Sequence, residues 1–347
     1  MSINTEHDFF IQLHLTEKCN LRCRHCYQTG RKSDEMHFSE IKELTTEVSD
    51  MLKAWQETYD IKFSPSFNIT GGEPFMRGDL FEIISEISNQ GFEIYLLSNG
   101  ILINKQRAEK LSELGVKGVQ VSIEGPEKIH DSIRGRNSFA SSIKGVLYLL
   151  DSGIRVTLNV TLSKINAGYF MELVTLASAL GVQKLGFSRL VPSGRGSGLL
   201  SKMLEKEKIK DIYEEIFSLN SYIPEIVTGD PVASQMSSSP GKYAGEVPSG
   251  GCAAGVSGLT ILPDGTVTPC RRMPVPIGNV RRDSLRELWA TSEVLEMLRD
   301  KKSYNGRCGK CERWANCRGC RAIAYAHSQS KGKNDFLAED PQCFIGA

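Results

Sequence analysis

Three features that would place this chain in a familiar class are missing from its sequence. No run of about 18 apolar residues occurs, so no segment is expected to span a membrane. Charge of one sign is not in excess, since 42 Lys and Arg face 41 Asp and Glu, and this argues against a strongly basic nucleic-acid binder. The first residues, MSINTEHDFF, lack the charged and then apolar pattern of a secretion signal. The sequence therefore predicts a cytoplasmic protein.

Cysteine is absent from the middle of the chain. Residues 27–251 contain none, so the ten cysteines form two groups at the ends. The first group is Cys19, Cys23 and Cys26; the second is Cys252, Cys270, Cys308, Cys311, Cys317, Cys320 and Cys343. In a chain that is not secreted, clustered cysteines are more often metal ligands or catalytic groups than disulfides. The sequence therefore indicates two functional regions joined by a cysteine-free body.

The cysteine-free body alternates strand-like with helix-like segments. Local composition predicts strands at 9–16, 63–70, 92–99, 118–125, 155–162 and 184–191. It predicts helices at 38–59, 78–90, 105–114, 138–152, 167–180 and 203–220. This alternation predicts a parallel sheet with right-handed crossovers, either as an open sheet or as a partial barrel.

The residue pattern along the strands favours one of these two architectures. Ile11 and Leu13 alternate with Gln12 and His14, and three further strands alternate in the same way. An open doubly wound sheet is covered on both faces and should be apolar on both. A polar face instead favours a lumen that holds a ligand, with antiparallel strands that have one wet face as the alternative. The predicted fold is α/β, a partial (β/α)6 TIM-like barrel with a C-terminal cysteine-rich domain.

The domain boundaries follow from a change of composition after about residue 200. Residues 237–251, SSSPGKYAGEVPSGG, are rich in Ser, Gly and Pro, as a linker or loop would be. We therefore expect a barrel over 1–225, a linker over 226–251 and a cysteine-rich domain over 252–347.

The first three cysteines follow the first predicted strand with the spacing Cys-x3-Cys-x2-Cys. In α/β architectures the C-terminal ends of strands carry the active site. Three thiolates can hold three irons of a 4Fe–4S cubane and leave the fourth iron free. Zinc is disfavoured because a structural site needs four ligands, and His25 lies awkwardly between Cys23 and Cys26. The segment CNLRCRHC resembles the signature of the radical S-adenosylmethionine (SAM) superfamily.

The resemblance implies a definite chemistry and a SAM site at the strand ends. In that superfamily the free iron chelates SAM, an electron from the cluster cleaves the sulfonium, and the 5′-deoxyadenosyl radical abstracts a hydrogen from the substrate. Glu73 of the GGEP segment would then accept from the SAM ammonium, and Arg134 would pair with its carboxylate. The residues implied to bind SAM are His25, Gly71, Gly72, Glu73, Pro74, Ser98, Asn99, Ser122, Arg134 and Leu190.

The seven C-terminal cysteines exceed the needs of one zinc ion. Their two CxxC pairs are separated by five residues, whereas zinc ribbons use roughly 15–20. Together with ILPDGTVTPC, in which Asp264–Gly265 predicts a hairpin turn, they resemble the SPASM extension of radical SAM enzymes, which holds two auxiliary 4Fe–4S clusters. The resemblance implies three clusters in all. It assigns Cys252, Cys270 and Cys320 to the nearer auxiliary cluster, and Cys308, Cys311, Cys317 and Cys343 to the farther one.

Two departures from the SPASM pattern bear on function. Residues 253–258, AAGVSG, lack the further cysteine of full versions, which leaves the nearer cluster an open iron or a borrowed ligand such as a substrate thiolate. Arg271 and Arg272 follow Cys270, where sulfatase-maturing relatives have an Asp that acts as a base. A cation cannot accept a proton, so formylglycine formation is disfavoured. The arginine pair suits an anionic substrate or a peptide carboxylate, or is simply solvated.

The sequence leaves three functions open. The first hypothesis is a maturase that abstracts a hydrogen from a ribosomal peptide or protein and forms a thioether, a carbon–carbon link or an epimer. The second is a tetrapyrrole-modifying enzyme of alternative haem or haem d1 synthesis, in which propionates would meet Arg189, Arg195, Arg271 and Arg272. An iron–sulfur electron carrier without catalysis is disfavoured by the GGEP and IRGR segments.

Further expectations concern partners and the catalytic base. The first strand begins near Phe9, which implies for a peptide substrate either a separate recognition protein or a substrate without a long leader. A flavodoxin-like or ferredoxin-like electron donor is expected, and neither nucleic acid nor membrane. Gln12 and His14 are candidate catalytic residues, and strand parity is the only support for them. The alternative is a structural role, which is more common for buried polar residues of strands.

Overall fold

The computed structural model describes residues 6–30, 33–219, 224–236 and 247–345. In these residues one mixed sheet carries helices between its parallel strands. The strands are β1 (Glu6–His14), β2 (Lys62–Thr70), β3 (Glu93–Ser98), β4 (Gly118–Ser122), β5 (Arg155–Leu162), β6 (Lys184–Arg189), β7 (Glu225–Thr228), β8 (Gly258–Ile261), β9 (Thr266–Thr268) and β10 (Gly278–Asn279). The helices are α1 (Phe38–Tyr59), α2 (Leu80–Asn89), α3 (Lys105–Glu113), α4 (Glu127–Arg134), α5 (Ser138–Asp151), α6 (Phe170–Leu180), α7 (Lys206–Ser218), α8 (Leu285–Thr291), α9 (Glu293–Arg299) and α10 (Arg321–Ser330).

The sheet order confirms the predicted barrel-like fold. Strands β1 to β7 lie side by side in chain order, and each pair is parallel. Consecutive parallel strands joined by helices are the arrangement of a (β/α) barrel rather than of a doubly wound sheet. The alternative with antiparallel strands is wrong for this part of the chain.

Strand parity is also confirmed, because the apolar residues of each strand form the core. Ile11, Leu13, Phe67 and Ile69 are fully buried beneath the helices. Their polar neighbours point to the opposite face, where the strands enclose a polar space. None of the described helices is long and apolar enough to cross a membrane.

Several strands end before their predicted ends. The first strand stops at His14 rather than Thr16, since the carbonyl of Thr16 accepts a hydrogen bond from Gly72 instead of continuing the ladder. Helix α4 was not predicted. It is a short helix of mostly polar residues that starts after Pro126 and buries His130 and Ile133, so its apolar pattern is too brief to read from sequence.

The C-terminal region adds strands to the same sheet. Strand β8 pairs in parallel with β1, and β9 returns antiparallel to β8. The predicted hairpin is confirmed, with Gly265 at φ +81° in its turn. Gly258 is required where β8 meets β1, because a Cβ there would overlap the carbonyl group of Phe10.

The predicted linker over 226–251 is partly regular structure. Its first residues lie in β7, which pairs with β6, and Pro231–Met236 form a 3-10 helix. Residues 237–246 of the Ser-, Gly- and Pro-rich stretch lie outside the described residues.

Candidate active site

The carboxyl ends of the parallel strands surround one cavity. The sulfur-bearing residues Cys19, Cys23 and Cys26 line it from the loop after β1, which we call the cysteine loop (residues 15–28). The polar strand residues that face them are Thr70, Ser98, Gln120, Ser122, Asn159, Thr161 and Ser188. The predicted lumen therefore exists, and the cysteine loop lies at its mouth.

The GGEP segment holds the start of the cysteine loop by close backbone contact. The amide of Gly72 donates to the carbonyl of Thr16 at 2.7 Å, and that of Glu73 donates to Lys18 at 2.9 Å. A Cβ on Gly71 would lie 2.7 Å from the Thr16 oxygen, and one on Gly72 would overlap Lys18. The two glycines therefore allow the two backbones to pack directly on each other.

The end of the cysteine loop is held from the opposite side. Gly194 has φ +57°, and a Cβ there would overlap the carbonyl of Tyr27. The amide of Gly196 donates to Cys26 at 3.0 Å. Helix α4 fixes the middle of the loop, where the amide of Arg24 donates to the carbonyl of Ile133 at 2.8 Å. Three segments of the barrel thus fix the positions of the cysteines.

Glu73 is fully buried and is bonded to protein donors. Its carboxylate accepts from the hydroxyl of Ser98 at 2.8 Å, from the amide of Asn99 at 2.8 Å and from that of Phe75 at 3.4 Å. Burial raises the pKa of Glu73 to about 7, although these hydrogen bonds act to lower it. Glu73 therefore ties the end of β2 to the end of β3, and Pro74 is buried behind it at the start of a 3-10 helix.

Arg134 is engaged by a carboxylate that the sequence analysis did not single out. Its Nε and Nη2 donate to Oε1 of Glu124 at 2.9 and 2.5 Å, and its Nη1 lies 3.8 Å from the sulfur of Cys23. His25 lies 3.3 Å from the same carboxylate oxygen. Burial alone would raise the pKa of Glu124, but Arg134 and His25 hold it well below its usual range. The sequence signal that could have identified Glu124 was its position on the polar face, two residues after Ser122.

Five residues predicted to bind SAM or to act in catalysis lie outside the lining of the cavity: Glu73, Pro74, Leu190, Gln12 and His14. Leu190 is buried in the barrel, and Val191 lines the cavity in its place. Gln12 is not in the lining. His14 lies behind Tyr27, whose hydroxyl is 3.5 Å from Nε2 of His14. Burial, aided by Arg271, lowers the pKa of His14 to about 3.

Arg189 is fully used by the protein, contrary to its predicted contact with substrate. Its Nε and Nη2 donate to Asp230, its Nη1 and Nη2 to Asp340, and its Nη1 also to Gln342, at 2.6–3.0 Å. A guanidinium has five N–H donors, and here all five are bonded. No donor remains for a propionate.

The other three arginines line the cavity without an ion pair in the described part of the chain. They are Arg195 after β6, and Arg271 and Arg272 after Cys270. The Nε atoms of Arg195 and Arg272 are buried without a hydrogen-bond partner, as are Nδ1 of His25 and Nε2 of Gln28. Arg271 lies over the ring of Tyr27, with 5.7 Å between its Cζ and the ring centre. The cavity is therefore cationic and has donors to offer.

Comparison with known proteins decides the family. Residues 13–177 match the family model of the radical SAM superfamily, and residues 252–321 match SPASM, an iron–sulfur cluster-binding domain. An AdoMet-dependent heme synthase of Methanosarcina barkeri is 31% identical over 345 residues, which is 95% of this chain and 94% of that protein. The chain belongs to the radical SAM superfamily.

Other radical SAM enzymes are similar over most of the chain. An AdoMet-dependent heme synthase of Nitratidesulfovibrio vulgaris is 30% identical over 344 residues, 95% of this chain and 90% of that protein. A mycofactocin maturase of Mycobacterium tuberculosis is 29% identical over 323 residues, which is 90% of this chain and 78% of that protein. The crystal structure of Streptococcus suis SuiB bound to S-adenosylmethionine shares the fold, with a TM-score of 0.74 at 16% identity over 98% of this chain and 76% of that one.

The residues at the cavity fit the cofactors of a radical SAM enzyme, which are 4Fe–4S clusters and SAM. All ten cysteines are free of disulfide bonds. Burial raises the pKa of Cys19 to about 11, so cluster binding must displace its proton. The unpartnered Nδ1 of His25 and Nε2 of Gln28 would be satisfied by a polar ligand beside the three cysteines. No three His, Cys, Asp or Glu side chains within the described ranges enclose a site for a single metal ion.

The SPASM cysteines of this radical SAM enzyme lie in two neighbourhoods. Arg272 is near Cys320 and Cys270, which raise its pKa against the effect of burial, and Cys320 in turn is affected by Cys252. Cys317 and Cys343 share one hydrogen-bond donor, the side-chain amide of Gln235. Cys308 is affected electrostatically by both Cys343 and Cys317. The amide of Cys252 also donates to the carbonyl of Cys317 at 3.2 Å, so the two neighbourhoods touch, and the two ligand sets that the resemblance implies stay a prediction.

Proposed function

We propose that this radical SAM enzyme modifies a tetrapyrrole and holds its carboxylate side chains with Arg195, Arg271 and Arg272. The observation that carries the proposal is the cationic cavity beside the cysteine loop. Its arginines come from the barrel and from the SPASM domain, so a substrate between them would contact both parts of the protein.

The unpaired arginines indicate a substrate with several negative charges. The Nε atoms of Arg195 and Arg272 are buried without a partner, and an unmet buried donor is costly. A ligand that supplies carboxylates best explains them, with Arg271 beside them. The planar guanidinium matches a carboxylate in two parallel hydrogen bonds. The end of a peptide offers one carboxylate, whereas the propionates of a tetrapyrrole offer several.

The comparisons support the second of the two substrate hypotheses. The heme synthases are similar over at least 90% of their own length, and the mycofactocin maturase over 78%. A peptide substrate remains the competing proposal. In both cases an electron donor of flavodoxin or ferredoxin type would serve the clusters.

The chain's own residues bind and orient the reactants. When bound, SAM and a reduced cluster would supply the radical chemistry for hydrogen abstraction. We assign Cys19, Cys23 and Cys26 to that cluster. To SAM we assign the predicted contacts that line the cavity and have no ion pair to another carboxylate, Gly71, Gly72, Ser98, Asn99 and Ser122. Arg134 and Glu124 hold His25 and Cys23 in place. Gln12 and His14 stay candidates, but His14 can act only through Tyr27.

The test is binding and turnover with iron coproporphyrin III, a tetrapyrrole with propionate side chains. Enzyme with reconstituted clusters, dithionite and SAM should form 5′-deoxyadenosine faster when this porphyrin is present, and the porphyrin should change mass. Arg271→Gln and Arg272→Gln should each weaken binding about tenfold or more, because a hydrogen bond to a charged group contributes about 1.5–3 kcal/mol. Spectrophotometric titration measures the Kd.

The matched control is Arg282→Gln, an exposed arginine of the same domain that pairs with Asp283, and it should bind like the parent enzyme. A porphyrin without carboxylates, octaethylporphyrin, should bind poorly to all of them. If candidate peptides stimulate 5′-deoxyadenosine formation and the porphyrin does not, the peptide proposal replaces this one. If SAM is never cleaved, the electron-carrier hypothesis returns.

A further inference from the structure

The side chain of Gln235 donates to two cysteines at once. Its Nε2 lies 3.6 Å from the sulfur of Cys317 and 3.4 Å from that of Cys343. These cysteines are 26 residues apart in the chain and 82 and 108 residues from Gln235. Sequence motifs gave no sign of this contact.

The orientation of the Gln235 amide is fixed by its other end. Its Oε1 accepts from the backbone amide of Phe344 at 3.2 Å. Since an N–H cannot donate to an NH2 group, the amide cannot be reversed, and the NH2 group must face the sulfurs. The 3-10 helix that carries Gln235 is fixed in turn, because Val232 donates to Asp230 and Asp230 is bound by Arg189. Gln235 is thus held by the barrel and by the C-terminal segment.

The cysteines assigned to the nearer auxiliary cluster lack such a donor among the described residues. Among the described residues, no side-chain amide donates to the sulfur of Cys252, Cys270 or Cys320. Cys317, in contrast, also accepts from the amide of Gly319 at 3.4 Å. Hydrogen bonds to cluster sulfurs are one of the factors that set the reduction potential of an iron–sulfur cluster. A donor dipole whose positive end faces the sulfurs favours the reduced state, because that state carries more negative charge.

We propose that Gln235 is a positioning residue that raises the reduction potential of the farther auxiliary cluster. The proposal uses the assignment of Cys317 and Cys343 to that cluster and does not depend on which substrate the enzyme takes. Its consequence is that the farther cluster accepts an electron more readily than it would without this amide. The residue acts through the sulfurs and does not touch the cavity.

The test compares Gln235→Glu with the parent enzyme in a redox titration followed by electron paramagnetic resonance. Glutamate keeps the oxygen that accepts from Phe344 but has no NH2 group to donate, so it separates donation from structural support. Enzyme with all clusters reconstituted is used, without substrate. The signal of the farther cluster is identified as the one lost in Cys317→Ala.

We expect the midpoint potential of that signal to fall by about 59 mV or more in Gln235→Glu, which is a tenfold change in the one-electron equilibrium. Gln235→Leu, which removes the donor without adding charge, should shift it in the same direction by a smaller amount. The other clusters should keep their potentials. Gln329→Glu, an exposed change on α10 in the same domain, should leave all potentials unchanged.

Two results would overturn the proposal. One is an unchanged potential in both Gln235 variants when their iron content equals that of the parent. The other is loss of the farther cluster from both variants, since Gln235 would then be a structural support rather than a modulator of potential. Neither result depends on tetrapyrrole turnover, so a failure here and a failure of the proposed function remain distinguishable.

Discussion

Glu73 and Arg134 show how much of the chemistry of a side chain depends on neighbours that are distant in sequence. Both are in motifs that indicate contact with SAM, yet the structure gives Glu73 three protein donors and pairs Arg134 with Glu124. The sequence identified these residues because their motifs follow strands. It could not identify their partners, because Glu73 and Ser98 are 25 residues apart. Arg189, engaged by two aspartates, was misinterpreted for the same reason.

His14 should make stability depend on pH. Its folded pKa is about 3 because of burial and Arg271, against 6.5 in the unfolded chain. The unfolded state therefore binds more protons below pH 6.5, so stability is lost as the pH falls through this range. Between pH 7.5 and 5.5 the loss from this one group is about 1.4 kcal/mol. Urea unfolding at the two pH values, in the parent and in His14→Gln, measures it.

The difference in pH-dependent stability between the parent and His14→Gln isolates the contribution of His14 from those of the other titrating groups. The variant should lose less stability than the parent on acidification, by about 1.4 kcal/mol, whatever its stability at pH 7.5. Tyr27 and Arg271 face His14, and neither changes its charge in this range. Equal pH dependence in the two proteins would show that His14 is protonated in the folded state, and so less enclosed than the structure indicates.

Whole strands and helices were much more predictable than their ends. Helix α1 and strand β5 begin and end at the predicted residues, because long periodic patterns determine them. Parity correctly indicated that one face of the strands lines a lumen. The ends of β1 and β3 were predicted too late, since the residues after them bond to loops. The pairing of β8 with β1 had no local signal, because more than 240 residues separate Leu13 from Ile261.

The close packing of the GGEP segment on the cysteine loop predicts that Gly72→Ala prevents assembly of the first cluster. A Cβ there would overlap the carbonyl of Lys18, which is backbone and cannot rotate away. We expect the variant to lose one cluster's iron, roughly four of about twelve atoms if three 4Fe–4S clusters are present. It should also cease to cleave SAM. Iron and sulfide analysis after anaerobic reconstitution measures the loss.

Gly78→Ala is the matched control, since Gly78 lies shortly after the same segment and a Cβ there meets no atom within 4 Å. That variant should keep its full iron content. An iron content in Gly72→Ala equal to that of Gly78→Ala would mean that the loop can move away from the GGEP segment. The predicted role of close packing would then be wrong.

The barrel and the cysteine-rich region are joined at the scale of the whole molecule. One sheet passes from β7 to β10 through the pairing of β1 with β8. At the opposite edge, Arg189 on β6 binds Asp230 after β7 and Asp340 near the C-terminus, with all three side chains buried. Asp340 also accepts from the backbone amide of Cys320 at 2.8 Å. The SPASM cysteines are therefore positioned by the barrel as well as by their own loops.

Removal of this buried charge should destabilise the whole molecule. In Arg189→Met, two buried carboxylates lose their cation, and breaking a buried ion pair from one side typically costs about 3–5 kcal/mol. Lys184→Met is the control, because Lys184 on the same strand forms an exposed ion pair with Glu225 on β7 at 2.9 Å, for which about 1 kcal/mol or less is expected.

Anaerobic urea unfolding of both variants, followed by circular dichroism and by cluster absorbance, measures the costs. In Arg189→Met both signals should be lost together at a lower urea concentration, since the joint supports the barrel and the SPASM cysteines alike. If the cluster absorbance alone moved to lower urea, the two regions would unfold separately and Arg189 would support only the second.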